Sequence, residues 1–420
     1  MAKSVCKTCG SDIGIFTLTS ALHDEVSVER VSSGFLGGIL PGGSYDFCGK
    51  DFSTFGQRPL DLIYVRTGGT EGLFLKLFPE LVKRGVRKFN LLTSGKSNSL
   101  AASMEILSYL RLKGLEGEII HGGNDAVSSR IGLLLKSGTA RRSMDGMRLG
   151  VMGKPSDWLI ASAADPEAVK AKFGIELLDV PMEEVKAAVD SAEAGNGLPF
   201  PLSAELLEKA GAKVSAAVPG AMKIHEGFRR IISSYSLDGF TVRCFDLLGS
   251  IGNTGCLSLA LFNAMGIPAG CEGDVPALLS MTIAKAATGH TGFMANPSRI
   301  DTSTQEILFA HCTVPFDIVD SVELDTHFES GIGVGIRGHI PEGPVTVFKV
   351  SGDLSRAFIA EGTLTANQAE PGLCRTQIRV TLDTSPQEPA PAGYFLFHPI
   401  GNHHIIVPGR HRKLLENILK

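Results

Sequence analysis

Tryptophan is almost absent from this sequence: one residue, Trp158, in a chain of 420. Basic residues are in no surplus, since a formal charge of −4 leaves no cationic footprint for nucleic acid and no acidic tail. No window approaches 18 consecutive apolar residues, so no transmembrane helix and no membrane partner are expected. The first ten residues are polar and lack the apolar core of a secretory signal. Cys6 and Cys9 form a C-x-x-C pair, but no second pair follows at zinc-ribbon spacing, and the pair precedes a strand instead of opening a helix. Most of the other cysteines sit in apolar segments, as free buried thiols do in a reducing cytosol, so a cytoplasmic protein is expected. No repeat of 20 to 50 residues is visible, which excludes a solenoid.

What is present is glycine, 49 residues or about 12% against a typical ~7%. There is no G-x-y period, so collagen is excluded and tight turns near backbone or ligand are indicated. With 43% hydrophobic and 20% charged residues, large cores are affordable and wholesale disorder is not expected.

The chain length suits two or three domains. Ile13 to Ser20 reads as a strand, and Asp61 to Arg66 as another. A glycine turn at Thr67 to Gly72 follows, then an amphipathic helix over Leu73 to Val82. Lys88 to Thr93 repeats the form with a helix from about Ser97 to Lys113, and Glu118 to His121 is a further strand. A new series starts with strands at Arg148 to Met152 and Trp158 to Ser162. Helices over Glu183 to Ala194, Ser203 to Ala210 and Ala221 to Ser234 come next, then strands at Phe240 to Phe245, Thr291 to Ala295 and Ile307 to Ala310. After about residue 318 short β-rich runs take over: Gly331 to Gly338, Val345 to Ser351, Arg356 to Thr365, Gln377 to Leu382 and Tyr394 to Phe397. A helix over His411 to Leu419 ends them. The fold class expected is α/β: two Rossmann-like domains with mostly parallel sheets, residues 1–147 and 148–317, then a β-rich domain over 318–420.

Polar residues follow apolar runs one after another between Val242 and Pro315: Asp246, Glu272, Asn296 and His311. If all four runs lie in one parallel sheet, these side chains converge on the edge where open α/β sheets bind ligands. Their oxygen and nitrogen donors suit Mn²⁺, Mg²⁺ or Co²⁺ better than structural zinc. Asp274, with Pro276 behind it and apolar residues at helical spacing, also reads as a helix N-cap, and Glu272 beside the same helix start as a complement to its dipole.

Cys271-Glu272-Gly273-Asp274 before a helix, Gly292-Phe293-Met294, Ala310-His311 before a proline, and Gly401-Asn402-His403-His404 resemble the L-fucose isomerase and L-arabinose isomerase superfamily. The resemblance covers roughly Trp158 to the C-terminus. It implies a divalent-metal-dependent aldose–ketose isomerase acting on a sugar, with Mn²⁺ or a similar cation, and a homo-oligomer, trimer or hexamer, whose active sites lie at subunit interfaces. It implies Glu272, His311 and His403 as metal ligands and the Glu272–Asp274 segment as a source of acid/base carboxylates; Asn296 can add an auxiliary amide oxygen but no base, so Asp274, Asp246 or Asp301 is left to serve as the second carboxylate. His403 and His404 point to opposite faces of an extended strand, so at most one reaches the metal, and the Asn-His arrangement of the family favours His403. One departure stands out: the isomerases carry a carboxylate directly after Phe-Met, where this chain has Ala295. The missing carboxylate keeps an epimerase or lyase, or a non-catalytic sugar-binding protein, as alternatives.

Remaining candidates for contact with a sugar are Trp158, which follows Pro155-Ser156-Asp157 and could stack on a sugar face, together with Asp246, His404, and Thr67 and Asn98 in the two glycine turns. Gly333-Val334-Gly335-Ile336-Arg337-Gly338 spells a dinucleotide fingerprint, but Pro341 and Pro344 follow it, so no helix N-terminus is available for a pyrophosphate.

Overall fold

The computed structural model describes residues 10–40, 42–193 and 202–420. The Cys6–Cys9 pair lies outside them. Tertiary contacts divide the chain into two compact units, Met1–Arg142 and Ser143–Lys420.

The first unit is built from β1 (Ile13–Leu18), α1 (Glu25–Ile39), β2 (Asp46–Gly49), β3 (Leu60–Val65), α2 (Glu71–Lys83), β4 (Lys88–Leu92), α3 (Ser99–Leu112), β5 (Glu116–Ile120) and α4 (Asn124–Met144), the last crossing the division. Its five strands are all parallel, in the order β2-β1-β3-β4-β5. The central strands are apolar on both faces because helices cover both. Ile13, Ile15, Leu62 and Tyr64 pack with Leu36, Ile39, Val127 and Ile131. The alternate residues Phe16, Leu18, Ile63 and Val65 pack with Phe74, Leu81, Ala102 and Ile106.

The second unit begins with β6 (Arg148–Met152), α5 (Pro166–Phe173), β7 (Glu176–Val180), α6 (Met182–Asp190), α7 (Ala204–Tyr235), β8 (Gly239–Val242), α8 (Asp246–Ile251), α9 (Cys256–Ala264), β9 (Ala269–Gly270) and α10 (Val275–Thr288). Its strands make a parallel sheet in the order β7-β6-β8-β9. There follow β10 (Phe293–Asp301), β11 (Glu306–His311), β12 (Ser321–Asp325), β13 (Gly335–His339), β14 (Gly343–Val350), β15 (Ala357–Gln368), β16 (Thr376–Leu382), α11 (Tyr394–Phe397), β17 (His404–Pro408) and α12 (Arg412–Leu419). Six of these strands close an antiparallel barrel, β10-β11-β16-β15-β14-β17, while β12 and β13 pair separately. Alternate residues fill one apolar core: Phe293 and Ala295, Ile307 and Phe309, Val345 and Val347, Ile378 and Val380.

The α/β class with a barrel-like β-rich part is therefore what forms, with four local differences. The strands carrying Asn296 and His311 belong to the barrel and not to a parallel sheet, so β structure of the barrel type begins at Phe293. Trp158 to Ser162 is a pair of consecutive turns, closed by Leu159 N–H donating to the Ser156 carbonyl and Ser162 N–H to that of Leu159. The two helices expected around Ser203 and Ser234 are one, α7, broken at Gly211 (φ 82°, ψ 167°). Tyr394 to Phe397 is a short helix, which lets the Tyr394 ring stack on Phe358 at 3.8 Å. The glycines around Gly333 serve packing: a Cβ on Gly333 would lie 2.5 Å from the Thr254 hydroxyl.

Among the described residues, no helix is long and apolar enough to cross a membrane.

Candidate functional site

Glu272 sits in the turn that joins β9 to α10. The turn is tight enough to need two successive left-handed residues, Glu272 (φ 61°) and Gly273 (φ 71°). Only glycine fits second, since a Cβ there would lie 2.5 Å from the Lys154 carbonyl oxygen. A left-handed glutamate costs on the order of 1 kcal/mol or more. The strain is held by two bonds, Gly273 N–H donating to the Val242 carbonyl and Ser156 N–H to that of Glu272. Such a backbone aims the Glu272 carboxylate at a fixed place. Its Oε2 accepts from the Trp158 indole N–H at 2.6 Å.

Asp274 caps α10: its carboxylate accepts from Ala277 N–H at 2.8 Å, with Pro276 in the first turn. The same carboxylate is fully buried and holds His403 Nδ1 at 2.9 Å and Lys349 Nζ at 3.3 Å. Its oxygens are committed to the helix, an imidazole and an ammonium, so it presents no open face for substrate chemistry. What it does is turn the His403 ring so that the buried Nε2 faces Glu272 Oε1 at 3.5 Å, without a well-aligned hydrogen bond. His403 immediately precedes β17. His311, the last residue of β11, places its ring 5.5 Å from that of His403, inclined by 67°.

The electrostatics separate these four groups. Burial opposes charge on Glu272, but the adjacent His403 imidazolium and the Trp158 N–H outweigh it and bring its pKa down to about 2. Burial likewise opposes charge on Asp274, and Lys349 and His403 overcome it, so its pKa is lowered. Burial disfavours the His403 cation, yet its two carboxylate neighbours raise its pKa to about 9. His311, buried and beside His403, is pushed down to about 3 and stays a neutral base.

His311 Nδ1, His403 Nε2 and Asn296 Oδ1 are all buried without a hydrogen-bond partner. Buried polar atoms of this kind are uncommon unless something else satisfies them. Donor atoms of Cys271, Glu272 and His311 lie within 4.8 Å of one another, close enough to share one cation. A divalent ion fits these side chains: an anionic oxygen and imidazole lone pairs, with His403 braced from behind by a carboxylate as metal-bound histidines commonly are.

The remaining expected site residues each have their own surroundings. Trp158 is half exposed and packs edge-on against Phe245 at 4.9 Å, which in turn meets His327 at 5.6 Å. Asp246, in the first turn of α8, is bound by Arg243 at 3.1 Å. Asn296 lies within β10, opposite Ala310. His404 is on the other face of its strand from His403. Its nitrogens are engaged by the Asn402 carbonyl at 2.8 Å and the Tyr394 hydroxyl at 3.1 Å. Thr67 and Asn98 belong to the first unit, where the Thr67 hydroxyl accepts from Ser20 N–H at 2.9 Å and Asn98 is left-handed at the start of α3. Two groups escaped sequence reasoning. Lys349 lies in the apolar run of β14, where a lysine is the anomaly, and the Cys271 thiol reads in sequence as one more buried core residue.

No protein-family model matches the chain. It is similar to the sulfoquinovose isomerases of Priestia aryabhattai and of Priestia megaterium (strain ATCC 12872 / QMB1551), each 24% identical over 318 residues, which are 72% of this chain and 68% of the relative. The sulfoquinovose isomerase of Alkalicoccus urumqiensis is 21% identical over 272 residues, 63% of this chain and 60% of that protein.

Proposed function

We propose that the chain is a divalent-metal-dependent aldose–ketose isomerase, with sulfonated sugars such as sulfoquinovose as the first substrate class to test. The observation that carries the reading is the buried Glu272 carboxylate, fixed by the Trp158 N–H and flanked by two imidazoles whose inward nitrogens have no partner. The named relatives supply the reaction and the sugar. Glu272, His311 and His403 would hold the cation, Mn²⁺, Co²⁺ or Mg²⁺, with Asn296 as an auxiliary oxygen. Such an ion supplies positive charge that polarises a sugar carbonyl.

Glu272, ionised at neutral pH, takes the proton from the carbon next to the carbonyl and returns it to the carbonyl carbon, while the proton of the adjacent hydroxyl passes to the former carbonyl oxygen. Trp158 restrains Oε2 while that proton moves, and its half-exposed ring, with Phe245, offers an apolar face to the sugar. Asp274 is a positioning residue: by accepting from Nδ1–H it fixes the His403 ring so that Nε2 is the nitrogen that would give up its proton to hold the cation. Asp246, His404, Thr67 and Asn98 stand as proposed substrate-side residues. The free thiols suit a reducing cytoplasm, and the isomerase resemblance adds a homo-oligomer, trimer or hexamer, with a three-part layout whose first division is near residue 147 and whose barrel takes in β10 and β11, ahead of the division expected near 317.

Incubation with Mn²⁺ and a panel of sugars that includes sulfoquinovose, in deuterated water, tests the reading. Ketose formation with solvent deuterium at the adjacent carbon is expected, and Glu272→Gln is expected to slow it by about 100- to 10,000-fold. Deuterium at C2 without ketose would instead establish an epimerase, the alternative that Ala295 favours by leaving the position after Phe293-Met294 without a carboxylate. Sugar binding that survives EDTA, with no exchange at all, would establish a binding protein.

A further inference from the structure

Five of the six free cysteines among the described residues gather in the second unit, and two of them touch: the Cys244 and Cys271 sulfurs are 3.0 Å apart, both buried. The fold brings them together. Parallel β8 and β9 are paired through Phe240–Ala269 and Thr241–Gly270, and each cysteine lies just beyond the paired segment of its strand. Cys271 immediately precedes Glu272, and its sulfur lies within 4.8 Å of both a Glu272 oxygen and a His311 nitrogen. The buried Nδ1 of His311 has no partner. A hard cation has no use for sulfur, whereas thiolate, imidazole and carboxylate at one point form the donor set of a borderline or soft d-block ion.

We propose that this centre has a second metal-binding mode, in which Zn²⁺ or a similarly thiophilic divalent cation is held by Cys271, Glu272 and His311, with Cys244 as the adjacent fourth donor. The mode shares Glu272 and His311 with the proposed catalytic cation and replaces His403 and Asn296 by sulfur, so the two ions exclude each other. Each thiol that binds yields one proton to solvent, the metal–sulfur bond takes the freed electron pair, and no electron is transferred. With these four side chains as donors, zinc would have its usual number of protein ligands and no open place for a sugar oxygen. The inference shares side chains with the proposed isomerase centre and does not depend on its reaction.

The test uses the full chain, stripped of metal and titrated anaerobically with Co²⁺, whose absorption spectrum reports sulfur ligation directly. A thiolate-to-cobalt charge-transfer band in the near ultraviolet is expected, absent in Cys271→Ser and weakened in Cys244→Ser. Displacement by Zn²⁺ should remove it, and Zn²⁺ affinity should fall by about 100-fold or more in Cys271→Ser, at the upper end of the losses that outer ligands alone produce. Cobalt retained by the wild-type chain without a thiolate band would overturn the second mode and leave an oxygen–nitrogen cation site standing. Failure to retain cobalt at all would overturn both. The wild-type spectrum decides even if a cysteine variant does not fold.

Discussion

Lys349 is a lysine with no exposed surface, and it is paired with Asp274, a carboxylate that already holds a helix and a histidine. A buried charge is tolerable only while it is paired. Asp274→Asn keeps a side chain able to cap α10 but removes the counter-charge. It should destabilise the protein by about 3–5 kcal/mol in urea denaturation. Adding Lys349→Met should restore most of that loss without restoring metal binding, because the His403 ring stays unbraced. If the double variant were no more stable than Asp274→Asn alone, the pair would not be the source of the cost. His403 itself gives the cation-free protein a pH signature. Its pKa rises on folding from 6.5 to about 9, so its stabilising contribution is complete below pH 6.5 and disappears as pH rises through about 9. Thermal melts of EDTA-treated protein should therefore shift downward between about pH 7 and pH 10, and His403→Gln should flatten that slope.

At the scale of the element, α4 carries two glycines with opposite prospects. Gly132 has nothing within 4 Å of where a Cβ would stand, whereas at Gly138 a Cβ would lie 2.0 Å from the Pro59 carbonyl oxygen. Gly132→Ala should raise stability by about 0.5–1 kcal/mol through helix propensity. Gly138→Ala should lower it by about 1–3 kcal/mol, since backbone has to move to admit the methyl group. Melting temperatures of the two variants check both signs. Elements were legible where local chemistry was decisive: an apolar run, a glycine turn and an amphipathic helix identify β3 and α2 almost to the residue. Partner choice was not legible. The apolar run of β10 after α10 looks like one more parallel strand, because an apolar run carries no mark of the strand it will pair with. Tyr394 to Phe397 is aromatic enough for a strand, yet it folds as one helical turn that seats a hydroxyl against His404 and the Ile400 N–H. At the site, Glu272 and His311 could be named because each ends an apolar run. The role of Asp274 could not, since it depends on Lys349 and His403, distant in sequence and supplied by barrel strands or the residue before one.

Over the whole molecule, the residues proposed to bind the cation lie in the second unit. The first unit has the strand order 2-1-3-4-5 of doubly wound sheets, with its own packed core on each face. A fragment of residues 146–420 is therefore expected to fold and to bind Co²⁺ with the affinity of the full chain. Circular dichroism and a cobalt titration measure the two properties, and a fragment that folds but binds no cobalt would place an essential ligand in the first unit.

Closure of the barrel by β17 also sets an order of events during synthesis. His403 follows Asp274 by 129 residues, and β17 fills the gap between β10 and β14. At about 5–20 residues per second, a growing chain exposes Glu272 and Asp274 for roughly 6–26 s before their histidine has been made. During that interval Lys349 can meet Asp274, but the hard-cation site lacks its braced imidazole. The two neighbouring thiols and His311, by contrast, are complete much earlier. A ribosome-bound chain would thus meet thiophilic ions before it can hold the ion proposed for turnover, and the choice of metal becomes a question of timing as well as affinity.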